Sequence, residues 1–371
     1  MNVTDKRLLC SLGLALSVAL SVALSSAQAD DKTLKLYNWA DYFAEDTLAR
    51  FTAETGIKVI YDVMDGSETL EAKMMAGGSG YDLIFPGDTV GERLMRAGSL
   101  QPLDTSKLTA LDDIEPGLQK LRAHYLYSNK ATVPYTWGTI GLTYNAEQIK
   151  QRMPDAPVNS LDMLFKPELA AKFADCGISL IDSPDEVLAV ALNYLGREPR
   201  SAKPQDLAAA SELLLTLRPY IRKFQSQPVS DLVNENVCLS LGYSGDMTQA
   251  QRAAVAAGKI TTFQYHIARE GTTVWMDTMA IPVDAKHPEY AYAFINFVMR
   301  PENMAAISNF TGYPTSNAKA RPSVDPVMRN NPDIYPDAAT YERLIPGMDI
   351  PQADMRARMR AWTKFKTAIA K

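Results

Sequence analysis

Leu34-Lys35-Leu36-Tyr37-Asn38-Trp39-Ala40-Asp41-Tyr42 joins a short apolar run to two aromatic side chains with a carboxylate between them. The run Leu34 to Leu36 reads as a strand and the residues after Tyr42 as a helix. Trp39, Asp41 and Tyr42 therefore fall at the C-terminal end of a strand, the edge where open α/β sheets bind ligands. Ring faces are electron-rich and a carboxylate is anionic, a pairing that suits an organic cation. The plainer reading makes Trp39 and Tyr42 ordinary core residues, and this segment alone does not choose between the two.

The alternation continues downstream. Leu48, Phe51 and Thr55 share one helical face, and Gly56 stands where a C-terminal glycine belongs. Ile57-Lys58-Val59-Ile60-Tyr61 is β-rich. Asp65 and Glu68 have capping-box spacing, and Leu70 and Met74 form the apolar stripe behind them. Gly77-Gly78-Ser79-Gly80 closes that helix ahead of a strand over Tyr81 to Pro86. The glycine-rich piece follows a helix and lacks a Gly-Lys-Ser/Thr ending, which excludes a phosphate loop. Strands alternating with helices predict an α/β fold with a parallel sheet covered on both faces.

Past Pro134-Tyr135-Thr136-Trp137-Gly138 a further strand is expected over Thr139 to Asn145, and a crossover between lobes is placed there. Ile178 to Ile181 reads as a strand, Leu207 to Leu217 as a Leu-rich helix, and Val237 to Leu241 as a strand. The last of these delivers Gly242-Tyr243-Ser244-Gly245-Asp246 at its end. Val274-Trp275-Met276-Asp277 precedes an apolar run, and Glu289 to Arg300 is an aromatic-rich helix stopped by Pro301.

Residues 1–29 have the form of a cleaved secretory signal: Lys6 and Arg7, an apolar stretch from Leu8 to Leu24, then Ala27-Gln28-Ala29. Arg7-Leu8-Leu9-Cys10 lacks the small residue expected before a lipidated cysteine. The expected product is a periplasmic protein long enough for two domains. Its net charge, −5 for the whole chain, argues against a nucleic-acid partner. Beyond the leader two cysteines remain, Cys176 and Cys238; an oxidising compartment favours a bridge, with two buried thiols as the alternative. His124, His266 and His287 are scattered, so neither a metal site nor a cofactor is expected.

Four segments thus place acids at strand ends, three of them with aromatic partners: Trp39/Asp41/Tyr42, Tyr243/Asp246, Trp275/Asp277 and Pro184-Asp185-Glu186. No Gly-x-Ser-x-Gly and no Ser/His/Asp or Cys/His arrangement accompanies them. The rival of a different class is a secreted glycoside hydrolase, whose chemistry needs only two carboxylates.

Longer collinear motifs add to this reading. They are Asn38-Trp39-x-Asp41-Tyr42, Glu54-Thr55-Gly56-Ile57-Lys58-Val59, Tyr81-Asp82-Leu83, Gln101-Pro102-Leu103-Asp104, Leu192-Asn193-Tyr194-Leu195-Gly196, Gly245-Asp246 and Arg360-Ala361-Trp362-Thr363-Lys364. Across them the chain resembles the periplasmic polyamine-binding proteins, the putrescine and spermidine receptors of bacterial ABC importers. The resemblance implies a two-lobed, type II-like periplasmic binding protein fold, each lobe a central, mostly parallel sheet flanked by helices. Lobe 1 is expected over 30–136 plus 274–320 and lobe 2 over 137–273 plus 321–371. It implies no enzymatic activity, a polyamine ligand, an ABC permease as partner, and a monomer.

Carried over residue by residue, the resemblance makes Trp39 and Tyr42 aromatic walls, Asp41 an acid near one ligand end, and Glu186 a carboxylate from the second lobe. Asp246 and Asp277 resemble the family's ammonium-binding acids. Trp275, Tyr243 and Tyr313 resemble its cleft aromatics, and Cys176 and Cys238 stand where some putrescine-binding members have a bridge. Departures concern selectivity. Ala40 replaces a small hydroxyl residue, and Gly87-Asp88-Thr89-Val90 replaces a segment beginning Ser-x-Ser. Trp275 resembles the aromatic of spermidine receptors more than that of putrescine receptors, and Tyr243 stands for a frequent Trp. Asp88 and Thr89 join the candidate ligand-binding residues. Asp88 sits at the cleft edge, suited to a further amine or a guanidinium, or simply facing water. Agmatine and cadaverine are alternative ligands.

Overall fold

The computed structural model describes residues 32–368; the leader expected over residues 1–29 lies outside them. Strand β1 (Thr33–Asn38) runs parallel to β2 (Lys58–Val63) on one side and to β3 (Leu83–Ile84) on the other. Leu34 and Leu36 on its buried face are fully enclosed. Helix α1 (Thr47–Thr55) buries Phe51 and ends on Gly56, whose φ of 72° is the left-handed closure the sequence implies. Helix α2 (Ser67–Ala76) buries Leu70 and Met74 as expected. Its N-cap is Gly66 and no side chain caps it, so the Asp65/Glu68 capping box does not form. Glu68 falls one residue too early on this later-starting helix to reach back to a cap at Asp65.

Strand β4 (Thr132–Asn145) is one element of 14 residues, all buried, where the sequence predicts a strand only from Thr139. Pro134 cannot donate to a ladder, and the pairing slips between Pro134 and Thr136 rather than ending. Its first part, Thr132 to Thr139, pairs antiparallel with β9 (Thr272–Ala280). Its second part, Ile140 to Asn145, pairs antiparallel with β7 (Leu239–Tyr243) and β8 (Phe263–His266). Beyond β7 lie β5 (Ile178–Leu180) and β6 (Ile221–Phe224), both parallel. The order is β2-β1-β3-β9-β4-β7-β5-β6, with β10 (Leu344–Ile345) on β9.

The outer strands are thus parallel on each side, as in the expected two-lobed α/β fold. The shared strands β4 and β9 run antiparallel to each other and to β3, β7 and β8, which the alternation of elements did not reveal. Gly138 makes their close approach possible: a Cβ there would stand 2.6 Å from the Trp275 ring.

Helix α3 (Asp88–Arg96) follows β3, α4 (Pro184–Tyr194) follows β5, α5 (Pro204–Leu217) precedes β6, and α6 (Gly245–Ala256) follows β7. Helix α7 (Pro288–Val298) ends short of Pro301, which opens α8 (Pro301–Thr311) at its first position, where a missing N–H costs nothing. Helix α9 (Gln352–Thr367) buries Trp362 and Phe365 in the core that also encloses β5, α4 and the end of β4. Cys176 and Cys238 form a disulfide, with Cα atoms 5.5 Å apart, tying the approach to β5 to the approach to β7.

Candidate ligand-binding site

Three of the predicted acids are buried: Asp88 is 8 % exposed, Asp246 4 % and Asp277 9 %. Each sits where a strand hands over to its next element or at the β4–β9 seam. Asp277 lies on β9, and its Oδ2 accepts a 2.6 Å hydrogen bond from the Tyr42 hydroxyl. The Thr136 hydroxyl donates in turn to the Tyr42 oxygen at 3.0 Å, so a chain of hydroxyls fixes this carboxylate. Tyr135 adds a hydrogen bond to the Tyr42 carbonyl. The Trp39 indole N–H faces Asp277 without closing a hydrogen bond to it. Burial pushes Asp277 up to about 7, and the Tyr42 hydrogen bond works against that rise.

Asp246 occupies the first turn of α6. It accepts the Tyr243 N–H at 3.0 Å, and burial pushes it up to about 8. Between the two acids runs a row of rings. Tyr243 meets Trp275 at 5.7 Å, Trp275 meets Tyr313 edge-on at 4.8 Å, and Tyr313 meets Tyr42 at 6.3 Å. Gly245 permits this packing, because a Cβ there would stand 2.5 Å from the Tyr313 ring. Burial raises the Tyr313 phenol well above its ordinary value, and the charges of both acids add to that rise.

Asp88 opens α3, where the helix N-terminus favours a carboxylate. Its Oδ2 accepts from the Tyr125 hydroxyl at 2.6 Å and its Oδ1 from the Thr89 N–H at 2.7 Å. Glu92, one turn on, accepts the N–H groups of Leu126 and Tyr127 at 3.0 and 2.9 Å, so one helix face grips the loop that carries Tyr125. Burial pushes Asp88 up to about 6, with the Glu186 charge adding to the rise, and the Asp88 charge in turn raises Asp277. Asp88 does not merely face water at the cleft edge. Thr89 beside it is half-buried against Gly347. Glu186, in the first turn of α4, has a buried Oε2 with no hydrogen-bond partner.

Asp41 behaves differently. It is exposed, with φ at 52°, a left-handed turn that Asp tolerates, and its charge acts on the Tyr61 phenol. The structure therefore gathers Trp39, Tyr42, Asp88, Thr89, Glu186, Tyr243, Asp246, Trp275, Asp277 and Tyr313, and leaves the Asp41 carboxylate toward solvent. Tyr125, Thr136 and the buried Arg200, whose charge lowers Asp88, were not foreseen. Thr136 stands within a run legible only as strand, and Tyr125 and Arg200 have no acid–aromatic pattern around them. Two surface hollows of about 620 and 500 Å³ lie elsewhere, one between α5 and α9 and one beside Glu54 and Arg300. They hold none of these acids.

Residues 46–336 match the family model described as bacterial extracellular solute-binding protein. The chain belongs to this family. Among similar proteins, the putrescine-binding periplasmic protein SpuD of Pseudomonas aeruginosa is 45 % identical over 356 residues, covering 95 % of this chain and 97 % of that one. The putrescine-binding periplasmic protein PotF of Escherichia coli is 43 % identical over 371 residues, covering 99 % and 100 %. Among solved structures, the spermidine/putrescine ABC transporter substrate-binding protein PotD of Streptococcus pneumoniae superposes with a TM-score of 0.79 at 29 % identity. It covers 90 % of this chain and 98 % of that one.

Proposed function

We propose that this protein captures a linear di- or polyamine of the putrescine or spermidine kind in the periplasm, after loss of residues 1–29, and delivers it to an ABC importer. It does so as a monomer and without chemical change to the ligand. One observation carries the reading: two buried carboxylates, Asp246 and Asp277, stand at opposite ends of a row of aromatic faces. An aliphatic diamine has a strongly hydrated charge at each end and an apolar middle. Binding must replace that hydration with carboxylates and cover the methylenes with rings. Each cation–π contact contributes roughly 0.5–2 kcal/mol. The identities to SpuD and PotF support the same ligand class.

The lobes are assigned as 30–136 plus 274–320 and 137–273 plus 321–371. The change of β4 partners at Thr139–Ile140 supports the first boundary, and the Val274 end of the β4–β9 pairing supports the second. Ligand reaches acids this deeply buried only when the lobes part, a hinge motion that also gives a permease two shapes to distinguish.

Thermal unfolding with a panel of amines, amino acids and sugars tests the class. A ligand that binds only the native state at a hundredfold excess over Kd adds about 2.7 kcal/mol of stability. Stabilisation by a di- or polyamine is expected, with none by neutral sugars. Stabilisation by sugars alone, or turnover of glycosides, would hand the case to the hydrolase reading.

The raised acids set a pH dependence. A carboxyl whose folded pKa lies above its unfolded value near 3.8 is most favourable to the ligand-free fold below that value. The contribution is lost as pH rises through about 6 for Asp88, 7 for Asp277 and 8 for Asp246. An ammonium reverses the preference by stabilising the ionised forms, so protons compete with the ligand. Amine affinity should fall at least about tenfold from pH 8 to pH 6, since each group titrates tenfold per unit. A Kd series by calorimetry reads this, and a flat profile would speak against ionised acids at the ammonium groups.

Because Asp88 is buried, its removal should matter more than that of an exposed acid. Asp88→Asn is expected to change the ranking of amines, most for ligands with a third nitrogen or a guanidinium, by about 1–3 kcal/mol. Competition assays with putrescine, spermidine and agmatine measure the ranking. Equal loss for every amine would make Asp88 a general rather than a selective contact.

A further inference from the structure

The guanidinium of Arg358, on α9, is completely buried. Its Nε donates to Asp185 Oδ1 at 3.0 Å and its Nη2 to the Asp185 carbonyl at 3.1 Å. Its Nη1 donates to the carbonyls of Ser201 at 3.0 Å and Pro199 at 3.3 Å. One side chain thus staples together two segments that each lie more than 150 residues from it in sequence. The first is the opening turn of α4, where Asp185 immediately precedes Glu186. The second is the turn between α4 and α5, where Pro199 and Ser201 flank Arg200.

The charges of both neighbours act on Asp88. Glu186 presents a buried oxygen without a hydrogen-bond partner. Arg200 is 8 % exposed, donates to the Pro346 carbonyl at 3.3 Å, and its charge acts on Asp88 and Tyr125. A cation buried beside a site for cations opposes binding unless it is neutralised, and Asp185 neutralises this one at contact distance. What Arg358 contributes is therefore geometry. A planar fork with five donors can hold a carboxylate and three carbonyls at fixed angles, which an ammonium cannot.

We infer that Arg358 is a positioning residue for amine binding, acting through Glu186 by fixing the first turn of α4 against the Pro199–Ser201 turn. The inference rests on the amine-binding reading above. It assigns to α9, which carries none of the candidate binding residues, a share in setting affinity.

A double-mutant cycle tests it, with putrescine as the probe and calorimetry as the readout. The set is the unaltered protein, Arg358→Lys, Glu186→Gln and the double variant, each checked for native circular dichroism. Arg358→Lys should weaken putrescine about tenfold in the unaltered background and less than about threefold in the Glu186→Gln background, the signature of coupled residues. Equal losses in both backgrounds, or no loss in a folded Arg358→Lys, would overturn the inference. If Arg358→Lys does not fold, Asp185→Ala is compared with Asp185→Asn. Both leave the guanidinium charge uncompensated, and only the first removes the acceptor. Weaker binding by Asp185→Ala than by Asp185→Asn, with the difference vanishing in Glu186→Gln, supports the same role; equal binding overturns it. Absence of amine binding by the unaltered protein would instead overturn the functional reading, and this inference with it.

Discussion

Asp246→Asn and Asp277→Asn should each cost about 2–5 kcal/mol of amine binding, because each strands one ammonium without its buried counter-charge. Asn keeps the size and shape of Asp. Asp246→Asn also keeps an acceptor for the Tyr243 N–H, and Asp277→Asn keeps one for the Tyr42 hydroxyl. The fold should therefore survive, and the ligand-free forms should gain stability near pH 8. There the native acids carry the cost of ionisation in a buried place, with folded values of about 8 and 7. Binding isotherms paired with thermal unfolding of the ligand-free variants separate the two effects. Unchanged amine affinity in both variants would remove these acids from the site.

The second large effect concerns the disulfide. Replacing Cys176 and Cys238 together by Ser should lower unfolding free energy by about 2–5 kcal/mol, since the bridge closes a long loop in the unfolded chain. The two positions are 62 residues apart, and both are buried, so lost packing adds to lost constraint. Urea unfolding of the double variant against the oxidised protein measures the difference. The bridge tethers β5 and β7 behind the acids and takes no part in the row of rings. Affinity in the folded double variant should accordingly change far less than stability. Equal midpoints for the two proteins would show that the bridge contributes nothing.

The sequence spoke most clearly where local chemistry and tertiary placement agree. β1, α1 with its Gly56 closure, and the acid–aromatic pairs at Tyr243/Asp246 and Trp275/Asp277 are short-range patterns, and the fold keeps them. Asp41 shows the opposite: it has the same pattern as its counterparts, but a left-handed backbone turns its carboxylate outward, and no residue spacing encodes that turn. The seam of β4 and β9 was illegible for a different reason. Both strands are buried on both faces, so they lack alternation, and Pro134 imitates a strand end while the pairing merely slips past it. Tyr125, Thr136 and Arg358 were missed because their roles depend on partners far away in the chain: 37, 94 and 173 residues for Asp88, Tyr42 and Asp185 respectively. Asp88 lies between these cases. The sequence marked it as an acid at the cleft, and only the fold shows that Tyr125 and the start of α3 bury it.

The central claim, that buried carboxylates hold an aliphatic amine, is tested most directly by titrating putrescine into ligand-stripped protein at pH 7 in two buffers of different ionisation enthalpy. With Asp246 near 8 and Asp277 near 7, a good part of both carboxyls is protonated before binding. The account predicts one amine bound per chain, with about one proton or more released to the buffer. No binding of any di- or polyamine, or binding with no proton released, would contradict it.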